Sequence, residues 1–197
     1  MEGLVGTVVL VDYDPTWPLL YEEEKARILD VVGGTVLSVE HIGSTAIPGL
    51  VAKPIIDLMA GVEGPKEAGI CIIPLRGLGY LDVTPLPGGP DIDEWYYCLG
   101  KGVHSVGYHL HLVRYGGRHW EDHIIFSDYL RSHPDVAEDY GRLKRRLATL
   151  YGSDRRSYTD GKTRFIEEVI SKARDSTERS KQFKFTHYFH PIPPLQR

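Results

Sequence analysis

Cysteine is scarce in this sequence: Cys71 and Cys98 are the only two among 197 residues. Their spacing matches no metal-binding pair, and two cysteines do not make the disulfide framework that stabilises small secreted domains. We therefore expect both to be reduced core residues of a cytoplasmic protein.

Long apolar runs and an excess of positive charge are also missing. No segment reaches the roughly 18 consecutive apolar residues of a membrane-spanning helix, and the N-terminus lacks the charged-then-apolar pattern of a signal peptide. The formal net charge of −4 leaves no broad basic surface, so extended nucleic-acid binding is disfavoured. A local basic pocket is still compatible with this charge. We expect a soluble protein with no membrane contact.

The composition that remains is typical of a globular domain, with 42% hydrophobic and 25% charged residues. We predict a single domain over residues 1–174 and a C-terminal extension over 175–197, where the sequence becomes polar and then rich in aromatics and proline. The end of this extension is either an arm that packs on a second copy of the chain or a disordered tail. Four aromatic residues between Phe183 and Phe189 favour the arm.

Strand patterns dominate the first part of the chain and helix patterns the last third. Runs of β-branched or alternating apolar residues predict strands at 4–11, 35–42, 54–62, 79–83, 95–99 and 107–115. Helices are predicted at 16–32, 65–77, 118–133, 136–150 and, as one long last helix, from about 158. The proline- and glycine-rich segment 84–93 predicts a loop. This order favours an α+β fold, a mixed β-sheet covered by helices.

One stretch, residues 39–61, places a glycine turn before a strand that carries a single acid. Gly43-Ser44 follow an apolar strand, and Asp57 lies within the next one. A glycine followed by a hydroxyl residue lets backbone N–H groups approach an anion, because no Cβ stands in the way. An acid in an apolar strand is costly to bury unless it is paired or binds a metal. The stretch is either a phosphate cradle facing a carboxylate or an ordinary turn beside a hydrogen-bonding aspartate.

The sequence of this stretch, H-I-G-S-T-A-I-P-G-L-V-A-K-P-I-I-D, resembles the signature of the GrpB family. Other stretches that match the family follow the same order along roughly residues 5–173: V-D-Y-D-P-T-W-P, Y-H-L-H-L-V, F-S-D-Y-L-R-S-H-P, Y-G-R-L-K-R-R-L-A and Y-T-D-G-K-T-R-F-I. The resemblance implies a nucleotidyltransferase-like fold of the polymerase-beta superfamily. There a Gly-Ser turn holds phosphates, and a strand about a dozen residues later carries two acids that bind metal ions.

The superfamily pattern is incomplete here, because Met59 stands where the second acid is expected. Side chains at 57 and 59 share one face of the strand, and magnesium takes oxygen ligands rather than a thioether. A two-metal site for phosphoryl transfer needs that second carboxylate. The resemblance implies that GrpB proteins generally carry an apolar residue there, so it does not by itself imply nucleotidyl transfer.

Two histidines are the candidate replacements for the missing acid. His109 and His111 lie on one face of a predicted strand, about where related folds carry a third acid. We take Asp57, His109 and His111 as candidate catalytic residues, and Asp57, His111 and Glu40 as candidate ligands of a magnesium, manganese or zinc ion. The alternative is that a histidine faces solvent or forms a hydrogen bond in the core.

The candidate phosphate-binding residues are Gly43, Ser44, Thr45, Lys53 and Lys162. Lys162 is predicted on the last helix, four residues after Tyr158 and on the same face. Lys144 matches a family motif without a clear role, and Arg131 is better explained by an ion pair with Asp128. The family often carries an arginine just before Y-H-L-H, whereas this chain has Ser105-Val106-Gly107, which removes one anion contact.

These features leave three functions open. The leading one is a nucleotidyltransferase-like protein that binds a nucleotide or another phosphate-bearing small molecule, with metal-dependent nucleotidyl transfer as its reaction. The second is a non-catalytic binding or helper module, as in the GrpB-like domains appended to dephospho-CoA kinase in some bacteria. The third is histidine- or metal-based chemistry on the same scaffold.

Overall fold

The computed structural model describes residues 7–86, 96–103 and 106–188. Its strands are β1 (Ser38–Ile42), β2 (Ile55–Val62), β3 (Asp82–Leu86), β4 (Tyr96–Val103) and β5 (Val106–Arg114). Its helices are α1 (Trp17–Val32), α2 (Pro65–Gly77), α3 (Arg118–Ser132), α4 (Pro134–Tyr151), α5 (Arg155–Asp160) and α6 (Thr163–Tyr188). The predicted α+β class with a helical C-terminal third is confirmed.

The five strands form one mixed sheet in the order β1-β2-β5-β4-β3. β1 pairs antiparallel with β2, as their short connection predicts, and the central pair β2–β5 is parallel. The register of this pair places Asp57 opposite His109 and Met59 opposite His111. Residues directly opposite one another share a face of the sheet, so the acid and both imidazoles lie on the same side.

The two faces of the sheet are covered by different helices. Alternate residues of β2, among them Ile56 and Leu58, are fully buried in the largest apolar cluster, together with α1 and α2. On the other face, Met59 packs with Trp120 of α3 in a smaller cluster. The C-terminal helices therefore cover the face that carries Asp57, and any cavity between them and the sheet has this acid on its floor.

Helix α4 is amphipathic, but its apolar stripe contains a lysine. The buried residues of α4 are Ala137, Tyr140, Gly141, Lys144 and Leu147, at the three- and four-residue spacing of one helix face. α3 and α6 pack against the same region. This arrangement directs Lys144 towards the interior of the protein instead of towards solvent.

The predicted strand at 4–11 is wrong for its described part, residues 7–11. Only a single β-bridge joins Val11 to Ala52, and residues 4–6 lie outside the described part of the chain. Val8 is buried against Leu147 and Tyr158, so its apolar side chain is covered by helices without strand pairing. The apolar pattern predicted burial correctly and pairing incorrectly.

Three other predictions need correction. β3 ends at Leu86, so the predicted loop 84–93 begins inside a strand, and its residues 87–93 lie outside the described residues. Cys71 is buried as predicted, but Cys98 is only half-buried; neither forms a disulfide. The long last helix is broken at Gly161, which places Lys162 in the turn between α5 and α6.

Helix α6 continues to Tyr188, well past the predicted domain boundary at 174. The predicted extended arm is therefore helical as far as residue 188, because the polar segment after Asp175 is rich in residues that favour helices; residues 189–197 lie outside the described part. The domain boundary and the packing of the tail on a second copy stay predictions. Among the described helices, none combines the length and apolarity needed to cross a bilayer.

Candidate functional site

A cavity of about 550 Å³ lies between the sheet and the C-terminal helices. β2 and β5 provide its floor, the glycine turn after β1 provides one side, and α3, α4, α5 and α6 provide the remaining walls. All predicted catalytic and phosphate-binding residues line it, namely Asp57, His109, His111, Gly43, Ser44, Thr45, Lys53 and Lys162. Of the sequence candidates, only Glu40 does not.

The glycine turn has a conformation that requires glycine. Gly43 has φ 71° and ψ −169°, a region that L-residues essentially do not occupy. A Cβ at this position would lie 2.5 Å from Oδ2 of Asp57. The missing side chain therefore lets the Asp57 carboxylate rest directly against the turn.

Arg131 of α3 holds this turn from outside the cavity. Its guanidinium donates hydrogen bonds to the backbone oxygens of Ala46 (3.0 Å) and His41 (3.1 Å). It also forms the predicted ion pair with Asp128 at 2.8 Å. Thr45 is engaged as well, because its Oγ1 donates to the carbonyl of Ile55 at 3.2 Å. The Thr45 hydroxyl thus stabilises the turn, and Arg131 has a positioning role beyond the predicted ion pair.

Asp57 faces both imidazoles of β5. Its Oδ1 is 3.3 Å from Nδ1 of His109 and 3.9 Å from Nε2 of His111. Burial acts to raise the pKa of Asp57, but the two facing imidazoles outweigh it and hold the pKa below its ordinary value. Asp57 is therefore ionised at neutral pH. An aspartate beside a histidine Nδ1 orients the ring and leaves Nε2 for chemistry.

Two further histidines, which the sequence analysis did not single out, extend this group along α3. His119 and His123 are one helical turn apart with ring centroids 4.4 Å apart, and the ring of His123 is 6.3 Å from that of His111. Burial lowers the pKa of His119 to about 3 and also lowers the pKa of His123. Both imidazoles are therefore neutral at neutral pH. The H-x-x-x-H spacing in the sequence was the available signal.

Among the lysines and arginines whose side chains the structure describes, Lys144 is the most deeply buried, with 2% of the residue exposed. Its Nζ donates to Ser44 Oγ at 2.8 Å and to the backbone oxygen of Val51. Burial, reinforced by the positive charges of Lys162 and Arg145, lowers the pKa of Lys144 to about 7. The glycine turn and a buried amine are therefore joined at one hydroxyl.

Lys53 and Lys162 complete a group of three lysines that line the same cavity. Their Nζ atoms lie 5.9 and 4.8 Å from the ring centroid of Tyr158. Burial lowers the pKa of Lys162 to about 8, with a further contribution from Lys53, and burial also lowers the pKa of Lys53. Within the described residues, none of the three lysines forms an ion pair with a carboxylate.

The oxygen and nitrogen donors of the site do not fit the metal centre that the superfamily resemblance implies. Glu40 lies outside the cavity, where its carboxylate accepts a hydrogen bond from Ser38 at 2.6 Å. Met59 is fully buried among apolar residues. In the described ranges of the chain, no group of three or more His, Cys, Asp or Glu side chains is arranged to hold a metal ion.

Comparison with protein families and known sequences gives a consistent result. The family model described as GrpB protein matches residues 7–172. A protein of Alkalihalophilus pseudofirmus named glutamate-rich protein GrpB is 34% identical over 169 residues, which cover 85% of this chain and 96% of that protein.

A solved structure and a longer enzyme also match. The crystal structure of conserved protein GrpB from Enterococcus faecalis aligns with a TM-score of 0.73 at 29% identity and covers 86% of this chain and 99% of that one. A dephospho-CoA kinase of Mycolicibacterium paratuberculosis is 28% identical over 191 residues, which cover 85% of this chain and only 46% of the kinase. The matched region in that enzyme is therefore about the size of one domain.

Proposed function

This chain belongs to the GrpB family, and we propose that its cavity binds a phosphate-bearing small molecule, with a nucleotide as the leading candidate. The observation that carries the proposal is the convergence of Lys53, Lys144 and Lys162 on one cavity without a carboxylate partner in the described structure. Burying an ammonium group without a counter-ion is costly. A bound anion would remove that cost.

The glycine turn supports the same ligand class. Gly43 brings the backbone close to the cavity without a Cβ, and Ser44 presents a hydroxyl that already bonds to the Lys144 amine. Phosphate oxygens accept hydrogen bonds from backbone N–H groups, hydroxyls and lysines together. The nucleotidyltransferase-like placement is part of this proposal, and the turn beside an acid-bearing strand supports it.

The size and walls of the cavity suit a small molecule with more than a phosphate. Its volume of about 550 Å³ falls within the roughly 300–1,000 Å³ of small-molecule sites. Apolar side chains of α3 and α6, including Phe126, Ile166 and Ile170, line it beside the charged groups. The lysines would hold the phosphate, and this wall would contact the uncharged body of the ligand.

The test is thermal unfolding of the full chain with inorganic phosphate, pyrophosphate, AMP, ATP and dephospho-CoA, each in EDTA and with magnesium, manganese or zinc. A ligand at 100 times its dissociation constant adds about 2.7 kcal/mol to the free energy of unfolding. We expect Lys53→Met and Lys162→Met to lose the shift, and Lys172→Met, which changes an exposed lysine of α6, to keep it. No shift with any compound would contradict the proposal.

The dephospho-CoA kinase relatives favour a binding or helper role over a complete enzyme, since a domain-sized part of each matches this chain. A second candidate is acid–base chemistry on the bound ligand. The Asp57–His109 contact of 3.3 Å favours it, because an oriented imidazole is a competent general base. If ligand turnover is found, His109→Ala should abolish it and leave the thermal shift, whereas Lys162→Met should abolish both.

A further inference from the structure

The position that would complete a two-metal site is closed to oxygen ligands. Met59 follows Asp57 on the same face of β2 and is fully buried against Ile42, Val113 and Trp120. A second carboxylate there would be buried among apolar side chains. The carboxylate that remains, Asp57, is already in contact with the imidazoles of β5. Among the described strand residues of the floor, Asp57 is thus the one acid, where two metal ions would need a second carboxylate beside it. The other acids that line the cavity lie on helices: Asp122 of α3 forms ion pairs with Arg118 and Arg174, and Glu167 of α6 is exposed.

The same cavity is lined by three lysines, none of which forms an ion pair with a described carboxylate. The amines of Lys53 and Lys162 both lie near the Tyr158 ring, and the amine of Lys144 bonds to Ser44 and Val51. Three ammonium groups can neutralise about as much phosphate charge as a divalent ion, and as point charges they accept any phosphate geometry. The apolar surroundings of Met59 and the three lysines both bear on how the charge of a bound phosphate is neutralised.

From this we infer that the cavity takes its phosphate ligand free of metal, with the three lysines in place of a divalent cation, and that Lys144 gains a proton as the ligand binds. The inference rests on the proposed function and specifies the ionic form of the ligand. A free pyrophosphate group carries more negative charge than its magnesium complex. Magnesium should therefore compete with the protein for the ligand instead of assisting its binding.

The proton gain follows from the surroundings of Lys144. The titratable and charged groups around it are Tyr140 and Arg145 on its own helix, Tyr158 and Lys162 from α5 and the following turn, and Lys53 and Asp57 from the sheet side. Cations predominate in this set, and Asp57 is the one acid. With a pKa lowered to about 7 by burial and by Lys162, the amine of the free protein is largely neutral at pH 8. A phosphate beside it favours the ammonium form.

The first experiment is isothermal titration of the full chain with inorganic pyrophosphate at pH 8, in EDTA and then with excess magnesium. We expect binding in EDTA and a several-fold weaker affinity with magnesium. Binding that requires magnesium, manganese or zinc would overturn this inference and leave the proposed function intact. Absence of binding both with and without metal would contradict the proposed function itself.

The second experiment repeats the titration in buffers of different ionisation enthalpy, which reports the protons taken up on binding. Lys144→Arg stays charged at every pH used, so it should bind pyrophosphate with less proton uptake than the native chain. Above the pKa of Lys144, the affinity of the native chain for pyrophosphate should fall relative to that of Lys144→Arg by up to about tenfold per pH unit. Lys172→Met is the control and should match the native chain. Equal proton uptake in the native chain and Lys144→Arg would overturn the role of Lys144. Circular dichroism first confirms that each variant is folded.

Discussion

Replacing Lys144 by methionine should make the protein more stable while it removes ligand binding. A lysine pKa that falls from 10.5 to about 7 on folding means that folding disfavours the charged form. Since one pH unit corresponds to about 1.36 kcal/mol, this group costs roughly 4 kcal/mol of stability at pH 7. Methionine has a similar length and no charge, so it avoids this cost.

The variant also loses two hydrogen bonds, from Nζ to Ser44 Oγ and to the carbonyl of Val51. Of the two acceptors only the Val51 carbonyl is buried, and leaving it without its donor costs about 1–3 kcal/mol. The Ser44 hydroxyl is half-buried at the cavity, where water can replace the lost hydrogen bond. The balance predicts a net gain in the free energy of unfolding of roughly 1–3 kcal/mol for Lys144→Met at pH 7. Urea denaturation monitored by circular dichroism measures it.

The pH dependence checks the cause of this gain. Because the folded-state pKa lies below the unfolded value of 10.5, the unfolded chain binds more protons between about pH 7 and 10.5. Stability of the native chain therefore rises with pH through that window as the penalty disappears. The advantage of Lys144→Met should be largest at pH 7 or below and should shrink towards pH 10. A variant less stable than the native chain at pH 7, or a gain independent of pH, would refute this reasoning.

Two more predictions concern the support of the site and the sheet. Gly43→Ala combines an unfavourable backbone conformation with a Cβ 2.5 Å from Asp57 Oδ2, so it should lower the free energy of unfolding by at least about 2 kcal/mol and weaken ligand binding. The control Gly49→Ala also has a positive φ, 77°, but its Cβ would meet open space, so it should destabilise the protein less. Equal urea midpoints for the two variants would contradict a clash with Asp57. Glu24→Gln removes the counter-charge of the Lys101 ammonium, which is 2.8 Å away and mostly buried. The free energy of unfolding should therefore fall by about 3–5 kcal/mol. A fall of less than about 1 kcal/mol in the same assay would show that this ion pair is dispensable.

The sequence predicted the elements of the fold well where periodicity is strong. The alternation in β2 and β5 correctly placed Asp57 on the same strand face as Met59, and His109 on the same face as His111. It did not determine which strands pair, because pairing partners depend on the tertiary arrangement of the sheet. The parallel β2–β5 register, which places Asp57 opposite His109, is the feature that unites these residues. The resemblance to related folds, which carry a third acid on a strand in about the position of β5, indicated only approximately that these residues meet.

The residues whose position was not predicted are charged residues within apolar helical stripes. Lys144 follows Tyr140 and precedes Leu147 at the spacing of one buried face, but its motif gave no reason to prefer burial over an exposed position. Glu24 of α1 is the same case, fully buried between Tyr21 and Ile28. A buried charge depends on partners from distant parts of the chain, so periodicity alone cannot identify it.

Glu40 is a residue that the sequence assigned to the site and the structure places outside it. Its place in sequence, three residues before Gly43, made it a candidate ligand, yet it lies on the edge strand β1 and bonds to Ser38. Nearness in sequence did not bring its carboxylate into the cavity. The location of the site was predictable from the glycine turn and Asp57, whereas its charge balance required the C-terminal helices.

The most direct test of a phosphate site is to locate an anion in it. Crystals of the full chain soaked in tungstate, a heavy tetrahedral analogue of phosphate, would show its position by anomalous scattering. We predict a peak within hydrogen-bond distance of Ser44 Oγ and of the amines of Lys144 and Lys162. A cavity without such a peak, in crystals where tungstate binds elsewhere on the surface, would contradict the account.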